Sequence, residues 1–370
     1  MKIGIDARLY GFQNKGIGRY IQKLIEYLER IDQKNQYVIF LVKKNWEDYQ
    51  PKNSNFKKVL ADYKTYGLKE QIFMPLKIWQ ERLDIIHFPH FNVPICVKNF
   101  IVTIHDLATT RFSNLKATTL NFFLYKIKHL AYRLIIWLAI KRAKKIITVS
   151  EFSKKEIIKY FKIKPEKITV TYEAADRFLI TEQSKIYIPK PYLLYVGAAY
   201  PHKNLENLLK AFRILLNDLK SSDTQNLKLV LVGKEDFFYQ RLKKKTEELS
   251  LRERTIFLGY LDDQGLVQVY QNAFIYVFPS YYEGFGLPAL EALSQGVPVV
   301  ASRTGSLPEI LDQAALYFNP HDIKDMAQII GKVINDKNLR EDLIKKGFKQ
   351  VKKFNWQKCA EETLKVYTTR

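Results

Sequence analysis

The chain has 370 residues and a formal net charge of +22, with 47% hydrophobic and 26% charged residues. This length accommodates two domains with full cores, and the composition is typical of a soluble globular protein rather than a disordered or fibrous one. The two cysteines, Cys96 and Cys359, lack metal-ligand spacing, which excludes a disulfide framework and favours a reducing, cytoplasmic compartment. No apolar run is long enough to span a bilayer, and Asp6 and Arg8 interrupt the first apolar segment too early for a signal peptide.

The positive charge is concentrated in the first half of the chain. Residues 1–178 contain 33 Lys and Arg against 16 Asp and Glu, a balance of +17, whereas residues 179–370 contain 27 against 22, a balance of +5. This asymmetry indicates an anionic partner for the first half, and nucleic acid and acidic lipid both meet that description. A lysine-rich proteome would produce the same bias without any partner.

Strand and helix patterns alternate in the first half, which predicts a parallel α/β sheet. The first strand, Ile3–Asp6, leads to Gly16-Ile17-Gly18 and then to an amphipathic helix that extends to Arg30. Further strands are predicted at 37–42, 57–60, 84–88, 100–106, 145–150 and 168–171. Ser150 is in position to cap the helix that begins at Glu151.

The segment between Leu107 and Ser150 contains nine Lys and Arg and no acidic residue. Within it, residues 122–140 mix Phe, Tyr, Leu, Ile and Trp137 with three basic side chains. A basic amphipathic helix of this kind can lie in a membrane interface. Alternatively, its apolar side chains pack on the sheet of their own domain while the basic ones face water.

Residues 179–190 lose hydrophobic periodicity and end near two prolines, which predicts a linker between a first domain at 1–178 and a second at 191–352. The second domain repeats the alternation of strand and helix. Its strands are predicted at 192–196, 227–233, 255–258, 274–278, 297–301 and 315–318, and two of its helices at 205–219 and 264–271. Residues 353–370 are expected to form a helix that packs back on the first domain.

One stretch of the second half, Phe278–Glu291, has the pattern of a ligand-binding loop. It follows a buried strand, two glycines allow a close backbone approach, and Pro288 suits the first turn of a helix. Ligands of parallel sheets bind beyond the carboxyl ends of the strands, where a helix N-terminus favours phosphate. Glu283 and Glu291 would then flank a molecule with hydroxyls near its phosphates, such as a nucleotide sugar. By spacing alone, an ordinary strand–loop–helix turn with solvated carboxylates fits equally well.

Five motifs taken together resemble the retaining glycosyltransferases of family 4. They are Glu283-Gly-Phe-Gly-Leu-Pro-Ala-Leu-Glu291, Pro201-His-Lys203-Asn-Leu, Gly16-Ile-Gly18, Ile104-His105-Asp106 and Thr148-Val-Ser-Glu-Phe-Ser153. The resemblance covers nearly the whole chain and is specific in the second half. It implies the GT-B fold, an α/β architecture of two Rossmann-like parallel-sheet domains that face each other across a cleft.

The resemblance also implies roles for individual residues. Lys203 would neutralise the diphosphate of the donor. Glu283 would lie near the transferred sugar, Glu291 would accept hydrogen bonds from the ribose hydroxyls, and His105 would contact the sugar without acting as a general base. The remaining donor contacts would come from Gly284, Phe285, Gly286 and Leu287 through backbone amides, from Gly16 and Gly18 through close approach, and from Leu261 to the base. For Gly16 and Gly18, an ordinary strand–helix turn explains the glycines equally well.

One position departs from the family pattern. The family usually has an arginine five positions before the lysine, where this chain has Ala198. Either one phosphate charge stays uncompensated, or another basic side chain such as His202 takes the place of the arginine. A subset of bacterial family members, many resembling mannosyltransferases, also lacks this arginine. Asp262 and Asp263 are expected to open a helix as caps rather than to bind a metal, so no metal or other cofactor is expected.

The implied activity is retaining transfer of a hexose from a nucleotide-diphosphate sugar, either GDP-mannose or a UDP-sugar, to a glycan or lipid-linked acceptor in cell-envelope polysaccharide synthesis. The basic first half would then contact the inner leaflet of the membrane. Two alternatives remain at this point. A basic nucleic-acid-binding protein would be expected to carry a helix-turn-helix, zinc or RNA-sheet motif, and none is recognised. A non-catalytic relative is suggested by Ala198.

Overall fold

The computed structural model describes residues 1–11, 15–112, 122–175, 186–218 and 226–369, without the side chains of residues 15 and 122–125. Part of the predicted linker, 179–185, and the last residue of the predicted helix 205–219 lie outside these ranges. The chain divides into two compact units. The first consists of Met1–Arg111, Leu120–Glu173 and Asn355–Arg370, and the second of Phe112–Thr119 and Ala174–Phe354.

The first unit contains a seven-stranded parallel sheet with the strand order β3-β2-β1-β4-β5-β6-β7. Its strands are β1 (Lys2–Asp6), β2 (Gln36–Leu41), β3 (Phe56–Leu60), β4 (Ile85–Phe88), β5 (Phe100–Ile104), β6 (Lys145–Thr148) and β7 (Ile168–Val170). The central strands are buried on both faces, which is why they are nearly continuous apolar runs. All seven strands predicted from the sequence are confirmed.

Five helices follow these strands in the first part of the chain. They are α1 (Lys15–Ile31), α2 (Leu68–Gln80), α3 (Ala108–Arg111), α4 (Phe122–Arg142) and α5 (Glu151–Phe161). The predicted cap of α5 is confirmed, because the amide of Ser153 donates to Ser150 Oγ at 3.0 Å. Residues of α4 such as Ile136 and Ile140 pack in the core of the sheet, as expected for a core helix. The sequence patterns did not predict α2.

The second unit contains a six-stranded parallel sheet with the strand order β10-β9-β8-β11-β12-β13. Its strands are β8 (Tyr192–Val196), β9 (Lys228–Val232), β10 (Thr255–Gly259), β11 (Ile275–Phe278), β12 (Val299–Ser302) and β13 (Ala315–Phe318). Its helices are α6 (Leu205–Asp218), α7 (Phe237–Glu248), α8 (Asp263–Gln271), α9 (Leu287–Ser294), α10 (Leu307–Leu311), α11 (Ile323–Asn335) and α12 (Lys337–Val351). The six predicted strands are confirmed here as well.

The final helix, α13 (Trp356–Thr368), belongs to the first unit although it follows the second. It packs along α1 and buries Trp356, Cys359 and Tyr367. The hydroxyl of Tyr367 lies 2.6 Å from Nδ1 of His87 on β4. The expected return of the C-terminal helix to the N-terminal domain is therefore observed.

Both sheets have a point where the strand order reverses. In the second sheet β8 and β11 are neighbours at the centre. The chain runs outward from β8 to β10 on one side and from β11 to β13 on the other. The loops that follow β8 and β11 therefore leave the same edge in opposite directions and open a crevice between them. In open α/β sheets, ligands bind at such switch points.

Candidate active site

The loop after β8 is fixed by its own backbone and by the loop after β11. Pro201–Lys203 forms one turn of 3-10 helix, and Asn204 ends it in the left-handed conformation at φ 61°. The buried Asn204 amide donates to the carbonyls of Pro279 and Pro320, both at 2.9 Å. This places Lys203 at the switch point between the two strands.

Lys203 and Glu283 form an ion pair at this point. The ammonium of Lys203 lies 2.7 Å from Oε1 and 2.9 Å from Oε2 of Glu283. The side chains are 20% and 11% exposed, so the pair is largely shielded from water but still open on one side. The solvated Glu283 of the alternative interpretation is therefore not observed. A partly exposed cation held against a carboxylate can be shared with a phosphate.

The backbone of Glu283 is held by the loop after β12. Both the amide and the hydroxyl of Ser306 donate to the carbonyl of Glu283, at 3.2 and 3.1 Å. Gly305, at φ 64°, lies so close that an added Cβ would be 2.8 Å from the amide nitrogen of Glu283. Because the loop has little room to move, Glu283 is pre-positioned.

Helix α9 begins directly after this loop. Gly286, at φ 102°, is its N-cap, and an added Cβ there would be 2.7 Å from Leu307 Cδ2. The loop residues Gly284 and Phe285, and Leu287 in the first helical turn, are buried. The amides of Ala289 and Leu290 donate to the carbonyl of Gly286 and Pro288 has no N–H, so an anion at this helix end would meet the amides that precede Pro288.

Glu291 lies one turn into α9, and it too is buried, with 6% of its surface exposed. Its Oε2 accepts a hydrogen bond of 3.1 Å from the hydroxyl of Tyr270 on α8. Burial, together with the negative charges of Glu283 and Glu291, raises the pKa of Tyr276 on β11 well above its usual value. Burying a carboxylate in an apolar helix costs free energy, which favours a functional role for Glu291.

The positive charge that Ala198 does not supply is not provided by His202. Burial and the neighbouring Lys203 lower the pKa of His202 to about 4, so the imidazole is neutral near pH 7. Lys234 is a better candidate, because it follows β9, the strand next to β8, and is exposed. Gly233 lies so close to the β8 loop that an added Cβ would be 2.1 Å from the carbonyl oxygen of Gly197. Lys234 was not predicted from the sequence, because the adjacency of β9 and β8 is a property of the sheet order.

The remaining residues predicted for the second unit lie at its edge strand. Leu261 follows β10 and is half-buried. Asp262 is the N-cap of α8 and accepts a hydrogen bond of 2.8 Å from the amide of Gly265, so the predicted cap is confirmed. Asp263 lies in the first turn of the same helix. Among the described residues, no group of three or more His, Cys, Asp or Glu side chains could hold a metal ion.

In the first unit, His105 follows β5, and both of its ring nitrogens have hydrogen-bond partners. Nε2 lies 3.0 Å from the carbonyl oxygen of Pro89, and Nδ1 lies 3.2 Å from the carboxylate of Glu173. Both partners are acceptors, an arrangement that favours the doubly protonated ring. Burial alone would lower the pKa of His105, but the hydrogen bond and charge of Glu173 raise it above its usual value. Both ring nitrogens are thus engaged by these two acceptors, and a role of His105 in contacting the sugar stays a prediction.

Gly16 and Gly18 lie in the first turn of α1. Gly18 is buried, whereas Gly16 is exposed and an added Cβ there would meet nothing within 4 Å. The packing of the described residues therefore does not require a glycine at position 16. Close approach of a ligand remains a physical reason for it.

The two parallel sheets, each with a switch point, define an α/β protein of the GT-B fold. The whole chain resembles the sucrose-phosphate synthase of Thermosynechococcus elongatus, with a TM-score of 0.76 over 99% of this chain and 98% of that one at 21% identity. At this level of identity the likeness concerns the fold alone.

Comparison with family models identifies the family. Residues 14–177 match the model described as Glycosyltransferase Family 4, and residues 176–350 match the one described as Glycosyl transferases group 1. The chain belongs to this glycosyltransferase family and is an enzyme that transfers a sugar. It is 31% identical to the O-antigen chain mannosyltransferase B of Escherichia coli over 76% of this chain and 74% of that protein. It is 29% identical to the O-antigen chain mannosyltransferase RfbU of Salmonella typhimurium over 72% of each.

Proposed function

We propose that this glycosyltransferase moves mannose from GDP-mannose, with retention of configuration, to a glycan or lipid-linked acceptor during the assembly of a cell-envelope polysaccharide. The observation that carries the proposal is the shielded pair of Lys203 and Glu283 at the switch point between β8 and β11. The choice of mannose is supported by the relatives, which are O-antigen mannosyltransferases.

The donor site is assigned to the second unit, within the predicted domain 191–352. Lys203 turns its ammonium from Glu283 toward the diphosphate, and the backbone amides of residues 284–287 bind the same anion. Glu291, held by Tyr270, accepts from the ribose hydroxyls, and Leu261 contacts the base through its backbone. Lys234 supplies the second positive charge that the family usually obtains from arginine.

The charge that develops on the departing diphosphate is stabilised by Lys203, Lys234 and the amides of residues 284–287, and we infer that no metal ion is needed. The bond between the anomeric carbon and the phosphate oxygen breaks as the bond to the acceptor oxygen forms on the same face. The acceptor proton passes to the departing phosphate. Glu283 binds the hydroxyls of the transferred sugar and so orients the anomeric carbon.

The acceptor is assigned to the first unit, within the predicted domain 1–178 together with the helix predicted at 353–370. Gly16 and Gly18 let a ligand approach the backbone of α1. The imidazolium of His105, fixed by Glu173 and Pro89, presents a positive charge for the sugar or the phosphate of a lipid-linked acceptor. In this proposal the enzyme works on the cytoplasmic side, with the basic first unit against the inner leaflet of the membrane.

A thermal-shift panel tests the donor proposal. GDP and GDP-mannose should raise the melting temperature more than UDP, UDP-glucose and ADP, because a ligand that binds only the native state stabilises it by mass action. Lys203→Gln should abolish the shift, whereas Lys244→Gln on α7 should leave it unchanged. A larger shift with UDP-sugars would overturn the donor assignment.

A turnover assay tests the transfer itself. With excess enzyme, GDP-mannose should be consumed and GDP released in the presence of EDTA. Donor binding without any turnover would support the non-catalytic alternative instead.

A further inference from the structure

Two helices of the first unit carry apolar side chains on the face turned away from the sheet. On α2 these are spaced by four, four and three residues and are 51–85% exposed: Leu68, Ile72, Leu76 and Trp79. On α4 they are spaced by three, four and three and are 47–70% exposed: Ile127, Leu130, Leu134 and Trp137. Both spacings place the side chains along one side of a helix.

The segment that carries Ile95 joins the two helices. The amide of Ile95 donates to Oε1 of Gln71 on α2 at 2.9 Å. The guanidinium of Arg142, at the end of α4, donates to the carbonyl of Ile95 and to that of Val97, the latter at 3.1 Å. Ile95 is 43% exposed between them. We therefore treat the eight helical side chains and Ile95 as one surface, called the α2–α4 surface.

The folding of the first unit does not account for these side chains. The inner faces of the same helices already fill the core, with Met74 of α2 and Ile136 and Ile140 of α4 buried. Of the 19 exposed large hydrophobic side chains among the described residues, nine belong to the α2–α4 surface. An exposed apolar patch of this extent marks an interaction site.

The charges of the two helices are almost all positive. Residues 68–80 and 122–142 contain seven Lys and Arg but a single acidic residue. That residue, Glu70, is fully buried and paired with Arg8, with Oε1 of Glu70 2.5 Å from the guanidinium. The two helices that form the α2–α4 surface therefore expose apolar stripes together with charges that are all positive.

This combination decides between the candidate partners. A second copy of the chain, pairing through the same face, would bring seven positive side chains of each copy together. A bilayer with anionic headgroups accepts the apolar stripes and attracts the basic rim, and tryptophan favours the membrane interface. No helix in the described ranges has the length and apolarity to cross a bilayer, so the contact would be interfacial.

We propose that the α2–α4 surface docks the enzyme on an anionic bilayer, with α2 and α4 lying in the plane of the interface. The proposal rests on the proposed function, which places the first unit against a membrane, and specifies the residues that make this contact. The proposal locates that contact on α2 and α4. The charge pattern of the sequence indicated only the segment that contains α4.

Co-sedimentation with vesicles tests the apolar part. The wild type should bind phosphatidylcholine vesicles that contain about a third phosphatidylglycerol, and should bind pure phosphatidylcholine much more weakly. The triple variant Leu68→Gln, Leu130→Gln, Trp137→Gln should lose binding at least about tenfold, because each change removes buried apolar area from the interface. The matched control Tyr160→Gln, Tyr187→Gln, Phe237→Gln replaces exposed aromatic side chains elsewhere and should bind like the wild type.

A second triple variant tests the electrostatic part. Lys69→Gln, Lys128→Gln, Arg133→Gln should weaken binding to the anionic vesicles on the order of a hundredfold and flatten its salt dependence. The control Lys244→Gln, Lys337→Gln, Lys352→Gln removes the same charge from the second unit and should change little. Circular dichroism should show all variants folded, because the substituted side chains are exposed.

Three results would overturn the proposal. They are absence of wild-type binding at low salt, equal losses in the surface and control variants, and a wild-type dimer that the apolar triple variant converts to a monomer. The vesicles contain neither donor nor acceptor. Absence of vesicle binding therefore does not affect the donor proposal. Absence of a thermal shift, in turn, does not affect the proposal for the α2–α4 surface.

Discussion

The ammonium of Lys203 lies 2.7 and 2.9 Å from the two carboxylate oxygens of Glu283, a residue 80 positions later in the chain. In the proposed function the lysine serves the diphosphate and the glutamate serves the sugar. The two roles are therefore coupled through one hydrogen-bonded pair. When phosphate draws the ammonium away, it releases a carboxylate oxygen for a sugar hydroxyl.

Replacing Lys203 should affect stability and activity separately. Lys203→Ala leaves the shielded carboxylate of Glu283 without its partner, which should lower the free energy of unfolding by about 1–3 kcal/mol. It should also lower transfer by about 10²–10³-fold. In the double variant Lys203→Ala, Glu283→Gln, urea unfolding should show stability regained while turnover stays low. If the double variant recovered turnover, the lysine would act only as a structural partner.

Lys234 should contribute to donor affinity. Lys234→Ala removes one cation beside the β8 loop and should raise the dissociation constant of GDP about tenfold, the usual effect of one charge-assisted contact. Lys244→Ala is the matched control on the neighbouring helix α7. Isothermal titration calorimetry measures both. An unchanged affinity in Lys234→Ala would mean that the charge missing at Ala198 is left uncompensated.

Glu291 should recognise the ribose. Glu291→Gln should weaken GDP binding by about 10–100-fold, because hydrogen bonds to a charged acceptor contribute roughly 1.5–3 kcal/mol. The same change should have little effect on 2′,3′-dideoxy-GDP, which lacks the hydroxyls. Affinities of both nucleotides for both proteins complete a thermodynamic cycle. Equal losses for the two nucleotides would place the effect of Glu291 elsewhere, for example in its bond to Tyr270.

Two glycines should respond in opposite ways to alanine. Gly286→Ala forces a Cβ against Leu307 at positive φ and should cost about 1–3 kcal/mol of stability. Gly16→Ala has open space and should raise stability by roughly 0.5–1 kcal/mol, since alanine is the better helix former. If a ligand approaches Gly16, the more stable variant should nevertheless be less active. Thermal unfolding and turnover decide this, and full activity would leave Gly16 as an ordinary turn residue.

The pair of His105 and Glu173 should make stability depend on pH. A histidine whose pKa is raised on folding contributes stability that is complete below the pKa of the unfolded chain and is lost as the pH rises through the folded pKa. Asp106 adds to the effect of Glu173, while His87 and His90 are neutral because burial lowers the pKa of each to about 3. The melting temperature of Glu173→Gln should therefore fall furthest below that of the wild type near pH 6.

The difference in melting temperature should narrow as the pH rises through the folded pKa of His105, because the ring then loses its charge in both proteins. Glu166→Gln, on the exposed turn before β7, serves as the control and should show no such trend. A difference in melting temperature that widens with rising pH would contradict the raised pKa of His105.

The strands were predictable because each is a short apolar run bounded by turn residues, and all thirteen were found. Helix α2 was not, since its apolar residues lie on both faces and Pro75 interrupts the pattern, so no amphipathic periodicity marks it. The exposed apolar side chains that obscured it form the α2 stripe of the α2–α4 surface.

The candidate site was predictable only in part. The positions of Lys203, Glu283 and Glu291 followed from strand ends and family motifs, but the direct bond between the first two did not. Glu173 and Lys234 were missed because each reaches its neighbours through the order of strands in a sheet. Distance along the sequence carries no signal of that order, as His105 and Glu173, 68 positions apart, illustrate.

The position of α13 has a consequence for biosynthesis. A ribosome makes Trp356 and Tyr367 only after it has made the whole second unit, yet they cover Tyr20 and His87 in the first. Until then, the nascent first unit lacks this cover, and transiently exposed apolar surface makes a folding intermediate prone to aggregate. The unit that is translated first is thus completed last.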